Sequence, residues 1–284
     1  MMKIYAFADE ANSMIDGQIK AMKKTGIDGL EARNVDNVNI SDISIAKARE
    51  VRKKMDDAGL KIWSMGSPIG KIDIVKGKFA TEVEKLRRTL ETAAVLGAEN
   101  IRLFSFYFPE DANKEDYKNE VIDRLGTFLM YAKDTGIALC HENEKGIYGD
   151  IPERCLEIHK ALPEMRAIFD PANYIQCGAN TLAAWEMIKP YVKYMHIKDA
   201  LADGNVVPAG RGVGELPTIL ADFISRGGNE VTVEPHLSIF KGLEGLEKEG
   251  ERSVVGEVFK YPTKEAAFEA AVSALKNIIA GEAK

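Results

Sequence analysis

Four stretches of this 284-residue chain end in groups that can hold a cation or move a proton. They are Cys140-His141-Glu142-Asn143-Glu144, Asp170-Pro171-Ala172-Asn173, His196-Ile197-Lys198-Asp199 and Glu234-Pro235-His236. Each closes a short apolar run. Glu142, Asp170, His196 and Glu234 stand 28, 26 and 38 residues apart, about one strand–helix unit per step. Residues at the ends of successive parallel strands can converge on one point. Three carboxylates and one imidazole form an oxygen-rich donor set, suited to one divalent ion such as Mn²⁺, Mg²⁺, Co²⁺ or Zn²⁺ rather than copper or an iron–sulfur centre. Singly, each residue has a plainer use. A strand-end carboxylate commonly caps the next helix, and Asp170 and Asp199 both fit that role. Four such groups on four successive strands are hard to explain by capping alone.

Strand alternation sorts the neighbours, because successive side chains point to opposite faces. If Glu142 faces inward with Glu144, His141 packs against a helix. Glu234 shares a side with His236, and His196 with Lys198. Lys198 is either a cation beside a substrate or half of an ion pair with Asp199. His159 lies in a helical segment and reads as a packing or surface residue. In Pro208-Ala209-Gly210-Arg211-Gly212-Val213-Gly214, Arg211 and the glycine amides could face a phosphate. The same glycines equally suit a tight turn.

The elements that must position these groups alternate along the chain. Strand candidates begin at Lys3, Gly29, Lys61, Asn100, Gly136, Met165, Val192 and Glu230. Between them lie segments of helical periodicity, several closed by a glycine (Gly26, Gly59, Gly97, Gly136) suited to the left-handed position after a helix. A last helix follows Pro262 and Thr263. Strand–helix alternation implies parallel pairing with crossovers, and eight units in this length fit an α/β fold, a single (β/α)₈ TIM barrel. An open doubly wound sheet usually carries a glycine-rich phosphate turn after an early strand, and the first strand here leads into Phe-Ala-Asp-Glu-Ala-Asn-Ser. No linker divides the chain, so residues 1–284 are expected to form one domain. Residues 238–262, rich in Gly and Glu, make a long irregular stretch of the kind that serves as a lid or an interface.

Composition narrows the classes further. Hydrophobic residues make up 45% and charged residues 29%, a globular balance. Lys and Arg number 38 against 44 Asp and Glu, a net charge of −6, which disfavours a nucleic-acid partner. Three scattered cysteines make neither a disulfide framework nor a Cys-rich zinc site, so a reducing cytoplasm is the expected location. No apolar run reaches the length of a membrane span.

The motifs Glu-Asn-Glu at 142, Phe-Asp-Pro-Ala-Asn at 169, His-Ile-Lys-Asp at 196 and Val-Glu-Pro-His at 233 resemble the sugar phosphate isomerase/epimerase group of xylose isomerase-like barrels. This group includes ketose 3-epimerases, hydroxypyruvate isomerases and inosose dehydratases. Gly-Ile-Asp-Gly-Leu-Glu-Ala-Arg, with Glu31, and Pro-Ala-Gly-Arg-Gly-Val-Gly-Glu-Leu-Pro are similar to further signatures of the group. The resemblance spans nearly the whole chain; each motif is short, and their order is what is specific. It implies one divalent metal held by Glu142, Asp170, His196 and Glu234, with Glu142 and Glu234 catalytic. One carboxylate would remove the proton α to a carbonyl of a small carbohydrate and the other return one, through an enediolate. Substrate contacts are expected from Asn173, Lys198, Arg211, His236 and Glu31. Two departures weaken the ketose 3-epimerase reading: Asn173 stands where those enzymes often carry His, and Ala202 where they often carry Arg. A lyase or dehydratase uses the same first proton transfer and is the alternative. A three-zinc nuclease on this barrel would need more than the four histidines present. A barrel that binds carbohydrate without turnover is the non-catalytic alternative, disfavoured by the intact quartet. The resemblance also implies a homodimer or homotetramer, with 238–262 as a contact.

Overall fold

The structure is a computed structural model that describes residues 2–239 and 259–281. Residues 240–258, which hold most of the expected lid or interface stretch, lie outside the described residues. Eight strands form the barrel: β1 (Lys3–Ala6), β2 (Gly29–Ala32), β3 (Lys61–Met65), β4 (Asn100–Leu103), β5 (Ala138–Glu142), β6 (Arg166–Phe169), β7 (Val192–Ile197) and β8 (Glu230–Val233). All neighbours pair in parallel, and the ring closes between β1 and β8, where Lys3 lies opposite Glu230 and Ala6 opposite Val233. A register shift between Leu30 and Glu31 interrupts the β2–β3 pairing.

The helices around the ring are α1 (Ile15–Thr25), α2 (Ile45–Asp57), α3 (Phe79–Leu96), α4 (Lys118–Ala132), α5 (Pro152–Ala161), α6 (Pro171–Gln176), α7 (Thr181–Ile188), α8 (Leu216–Ser225) and α9 (Lys264–Ile279). Side chains start several of them: Ser44 accepts from Lys47 N, Asn180 from Ala183 N, and Thr263 from Ala266 N. Each such cap contributes about 1 kcal/mol. Gly26 and Gly97 end α1 and α3 at φ +61° and +72°, as expected. Gly136 differs. The helix before it stops at Ala132, and Asp134 (φ +62°) and Gly136 (φ +77°) turn the chain inside the loop.

Two apolar cores support the ring. The larger packs strands against helices; a smaller cluster of Tyr5, Trp63, Cys140, Ile168 and Tyr194 fills the barrel interior. Tyr5 stacks on Trp63 with ring centroids 5.0 Å apart, and Tyr194 meets Trp63 edge-on at 5.4 Å. The interior is therefore plugged, and polar groups one step further along the strands sit above it. Among the described residues no helix is long and apolar enough to cross a membrane.

Candidate metal and proton-transfer site

Alternation along the strands places the site. On β5 the inward sequence runs from Cys140 to Glu142, on β6 from Ile168 to Asp170, and on β7 from Tyr194 to His196 and on to Lys198. Glu142, Asp170, His196 and Glu234 are all buried, and ligand atoms from the four lie within 4.8 Å of one another. His196 is held on both sides: Nδ1 donates to Glu142 Oε1 (2.8 Å) and Nε2 to Glu31 Oε2 (3.1 Å). Tyr194 Oη donates to the other oxygen of Glu31 (2.9 Å). Burial alone would depress the His196 imidazole; Glu142 and Glu31 outweigh it and push it up to about 10.

The opposing charges come from elsewhere on the ring. Arg102, inside β4, donates from one terminal nitrogen to Glu142 Oε2 (3.0 Å) and from the others to Gly66 O and Ser67 O. Arg33, just beyond β2, grips both oxygens of Asp9 (2.9 and 3.0 Å). It also reaches Glu10 (3.0 Å) and Glu234 Oε1 (3.4 Å). Phe7 presents its ring to both guanidiniums, 4.5 Å from Arg33 and 5.0 Å from Arg102. Lys198 Nζ lies 2.8 Å from both Asp170 Oδ2 and Glu234 Oε2. Burial disfavours the charge on Lys198, but Asp170 and Glu234 overcome this and raise it. Burial would raise Glu142 and Glu234. His196 and Arg102 bring the first down, and Lys198 and His236 are foremost in bringing the second down. Asp170 goes the other way: burial, reinforced by Glu234 and Glu142, outweighs Lys198 and raises it.

The remaining expected contacts divide. Asn173 is buried at the site. Its side chain donates to Asn143 O (2.9 Å) and reaches Glu142 Oε1 at 3.5 Å, while its backbone N donates to Asp170 Oδ1 (2.9 Å), the capping bond of α6. The cap read from the sequence is therefore present, on a carboxylate that also belongs to the cluster. His236 sits beside Glu234, with Nδ1 3.6 Å from Oε1, on a backbone at φ +42° whose N–H donates to Glu10 (2.7 Å). Such a conformation is costly for a bulky residue and is often found at functional sites. Glu31 is fully buried, with one oxygen on His196 and the other on Tyr194, so it braces the imidazole from behind. Arg211 is exposed, and the glycine amides near it bind Asp199, not an external anion. Lys198 pairs with Asp170 and Glu234 instead of Asp199.

His141 faces away from the site, as alternation requires, with Nε2 2.9 Å from Ser105 Oγ and its ring 5.9 Å from that of His159. His159 is a packing residue, stacked on Tyr191 at 5.2 Å. Glu144 pairs with Lys71 (2.8 Å). Asp9, Glu10, Arg33, Lys71 and Arg102 escaped the motif reading. The available signal was a charged residue embedded in an apolar run, as Arg102 is in Ile-Arg-Leu-Phe.

The quartet fits one divalent ion. Its donors are convergent, buried and mostly carboxylate, and the raised Asp170 marks a cluster short of positive charge. The Glu31 carboxylate on the far nitrogen of His196 is the arrangement that orients a metal-ligating imidazole.

The chain belongs to the xylose isomerase-like TIM barrel family, whose model matches residues 19–249. Among solved structures it is similar to an IolI protein with a bound zinc atom (17% identity, 99% of each chain, TM-score 0.74). It is also similar to D-psicose 3-epimerase with D-tagatose from Clostridium cellulolyticum H10 (14%, 100% of each chain, 0.73). A third is the probable 3-DHS dehydratase AsbF of Bacillus anthracis (15%, 98% of this chain and 99% of that one, 0.70). These likenesses define the fold. Among curated proteins, alanine racemase of Clostridium perfringens is 30% identical over 112 residues, 38% of this chain and 29% of that one. The match spans less than a third of that relative and carries no reaction across.

Proposed function

We propose that this protein is a divalent-metal-dependent isomerase or epimerase of a keto-sugar or a related small polyol-derived ketone. The observation that carries the reading is the placement of Glu142 and Glu234 in one buried cluster, each tied to its own cations. Arg102 fixes Glu142, while Lys198 and Arg33 fix Glu234. Both carboxylates are held ionised, so either can accept a proton and later return it. Carboxylates this weakly basic remove a proton α to a carbonyl only when charge stabilises the carbonyl oxygen. A divalent ion held by Glu142, Asp170, His196 and Glu234 would supply that Lewis acidity. Asn173 supports Glu142 from beside it, and Arg102 keeps one Glu142 oxygen turned away.

A second reading, β-elimination as in a dehydratase, is favoured by one observation. Lys198 and His236 flank Glu234 and could protonate a departing oxygen. Product mass separates the two, since an isomer keeps the substrate's mass and a dehydration product loses water. The test is incubation of manganese-loaded protein with keto-sugars in D₂O, reading deuterium at carbon and product mass. Exchange is expected, and Glu234→Gln should lower its rate about 10³-fold while leaving the fold intact. If no keto-sugar exchanges, or if Glu234→Gln exchanges as fast as the wild type, the reading fails.

A further inference from the structure

We infer that the site accepts an uncharged polyhydroxy ketone and excludes phosphate esters and carboxylated sugars. The ketone comes from the reaction proposed above; the exclusion comes from charge, through two separate observations.

The first is that the buried cations are already committed. Among the described residues, the buried Lys and Arg are Arg33, Arg102 and Lys198, and the side chain of Lys71 joins them at 8% exposure. Arg33 spends its donors on Asp9, Glu10 and Glu234. All three nitrogens of Arg102 are used, by Glu142 and by the carbonyls of Gly66 and Ser67. Lys198 bridges Asp170 and Glu234, and Lys71 contacts both oxygens of Glu144 (2.9 and 2.8 Å). The seven carboxylates Asp9, Glu10, Glu31, Glu142, Glu144, Asp170 and Glu234 outnumber these four cations, and one divalent ion offsets two of the three excess negative charges. An arriving phosphate or carboxylate would face anionic oxygens in a medium that screens poorly, with no spare buried cation among the described residues to receive it. A hydroxyl faces the reverse situation, because carboxylates are acceptors and a hydroxyl is a donor.

The second observation concerns the place where this fold commonly binds phosphate, the loops after the seventh and eighth strands. Here the loop after β7 closes on its own chain. The amides of Gly210, Gly212 and Gly214 donate to Asp199 at 2.9, 3.0 and 3.0 Å, and Ala200 N adds a fourth bond at 2.9 Å. The fit is tight: a Cβ on Gly212 would lie 2.3 Å from Asp199 Oδ1 and 2.2 Å from Ala200 O. The cradle is filled by an internal carboxylate, and a ligand's phosphate would have to expel it.

The experiment pairs each free ketose with its phosphate ester, using manganese-loaded full-length protein. One arm measures proton exchange with D₂O; the other measures binding by calorimetry with the same sugars and with inorganic phosphate, independently of turnover. The expected result is exchange with a free ketose at a kcat/KM at least about 100-fold above that of its ester, and no binding of inorganic phosphate. Esters that exchange equally well or better, or that bind tighter than the free sugar, overturn the inference while leaving the reaction standing. Free ketoses that bind without exchange, alongside esters that do not bind, support the exclusion and remove the reaction instead.

Discussion

The two halves of the barrel make unequal contributions to the site. Strands β5 to β8 supply the four clustered candidate ligands, Glu142, Asp170, His196 and Glu234. Strands β1 to β4 and their following loops supply the groups that hold them: Arg33 and Arg102, the Phe7 ring between them, and Glu31 behind His196. Lys198 is the cation that crosses the division, bridging Asp170 and Glu234 from β7's own side. The β5–β8 half therefore carries an excess of negative charge, which Arg102 and Arg33 of the other half offset in part. In the first half burial, Glu234 and Glu142 raise Asp170, whereas in the second every guanidinium nitrogen of Arg33 and Arg102 is hydrogen-bonded. The two should fail differently when disturbed.

Arg33→Met is the strongest way to break the comparison. It leaves Asp9, Glu10 and part of Glu234 buried without their counter-charge, and should cost about 3–5 kcal/mol in urea unfolding. A loss under about 1 kcal/mol would mean the ion network adds nothing to the fold. Asp170→Asn should do the opposite, keeping the cap on α6 and most of the stability while weakening manganese binding more than about 100-fold, since a direct ligand matters more than its supports. Unchanged metal content by elemental mass spectrometry would remove Asp170 from the ligand set. Glu31→Gln sharpens the contrast from the holding side. It should lower metal affinity about tenfold with little change in unfolding midpoint, because it alters the charge behind His196 and not a ligand.

An effect that vanishes at neutral pH lies behind the cluster, where His141 and His159 pack away from it. Burial holds the imidazoles of His141 and His159 neutral, lowered to about 3 and about 4. An unfolded histidine titrates near 6.5, so between that pH and 4 the unfolded chain binds more protons than the folded one. Stability is complete above 6.5 and falls as the pH drops through this window, by up to about 1.4 kcal/mol per unit for each residue. The double variant His141→Gln, His159→Gln should show a shallower acid slope, and an identical slope would contradict the assignment.

The clustering of the four candidate ligands was legible in the sequence for a physical reason. Each ends an apolar strand, and the strand period alone says which neighbour faces inward, which is why His141 could be set aside from Glu142. The holding half was not. Arg33 and Glu234 lie 201 residues apart, and no local spacing announces such a pair. Asp9 and Glu10 were visible in Phe-Ala-Asp-Glu, but that segment was informative only as the lack of a glycine-rich turn. The alternation rule, carried one step further, would have separated Lys198 from Asp199, since adjacent strand residues point apart and Lys198 follows His196 inward. Gly136 shows the limit of punctuation: its left-handed conformation was foreseen, but Asp134 shares the turn and the helix ends earlier. The fold needed only the recurrence of its units, which tolerates such errors.

The seam between β1 and β8 has a consequence for the order of events in synthesis. Lys3 is made well before Glu230 and must wait for it before its strand has both neighbours. The same delay applies to the site, since Glu10 receives its backbone bond from His236 and Arg33 its farthest carboxylate from Glu234. β1 and the residues after it are thus committed to partners made much later, contacts whose long sequence separation makes them slow to form. Until they arrive, the nascent protein carries unpaired strand edges and uncompensated charges, the condition in which chains of this size are most exposed to misassembly.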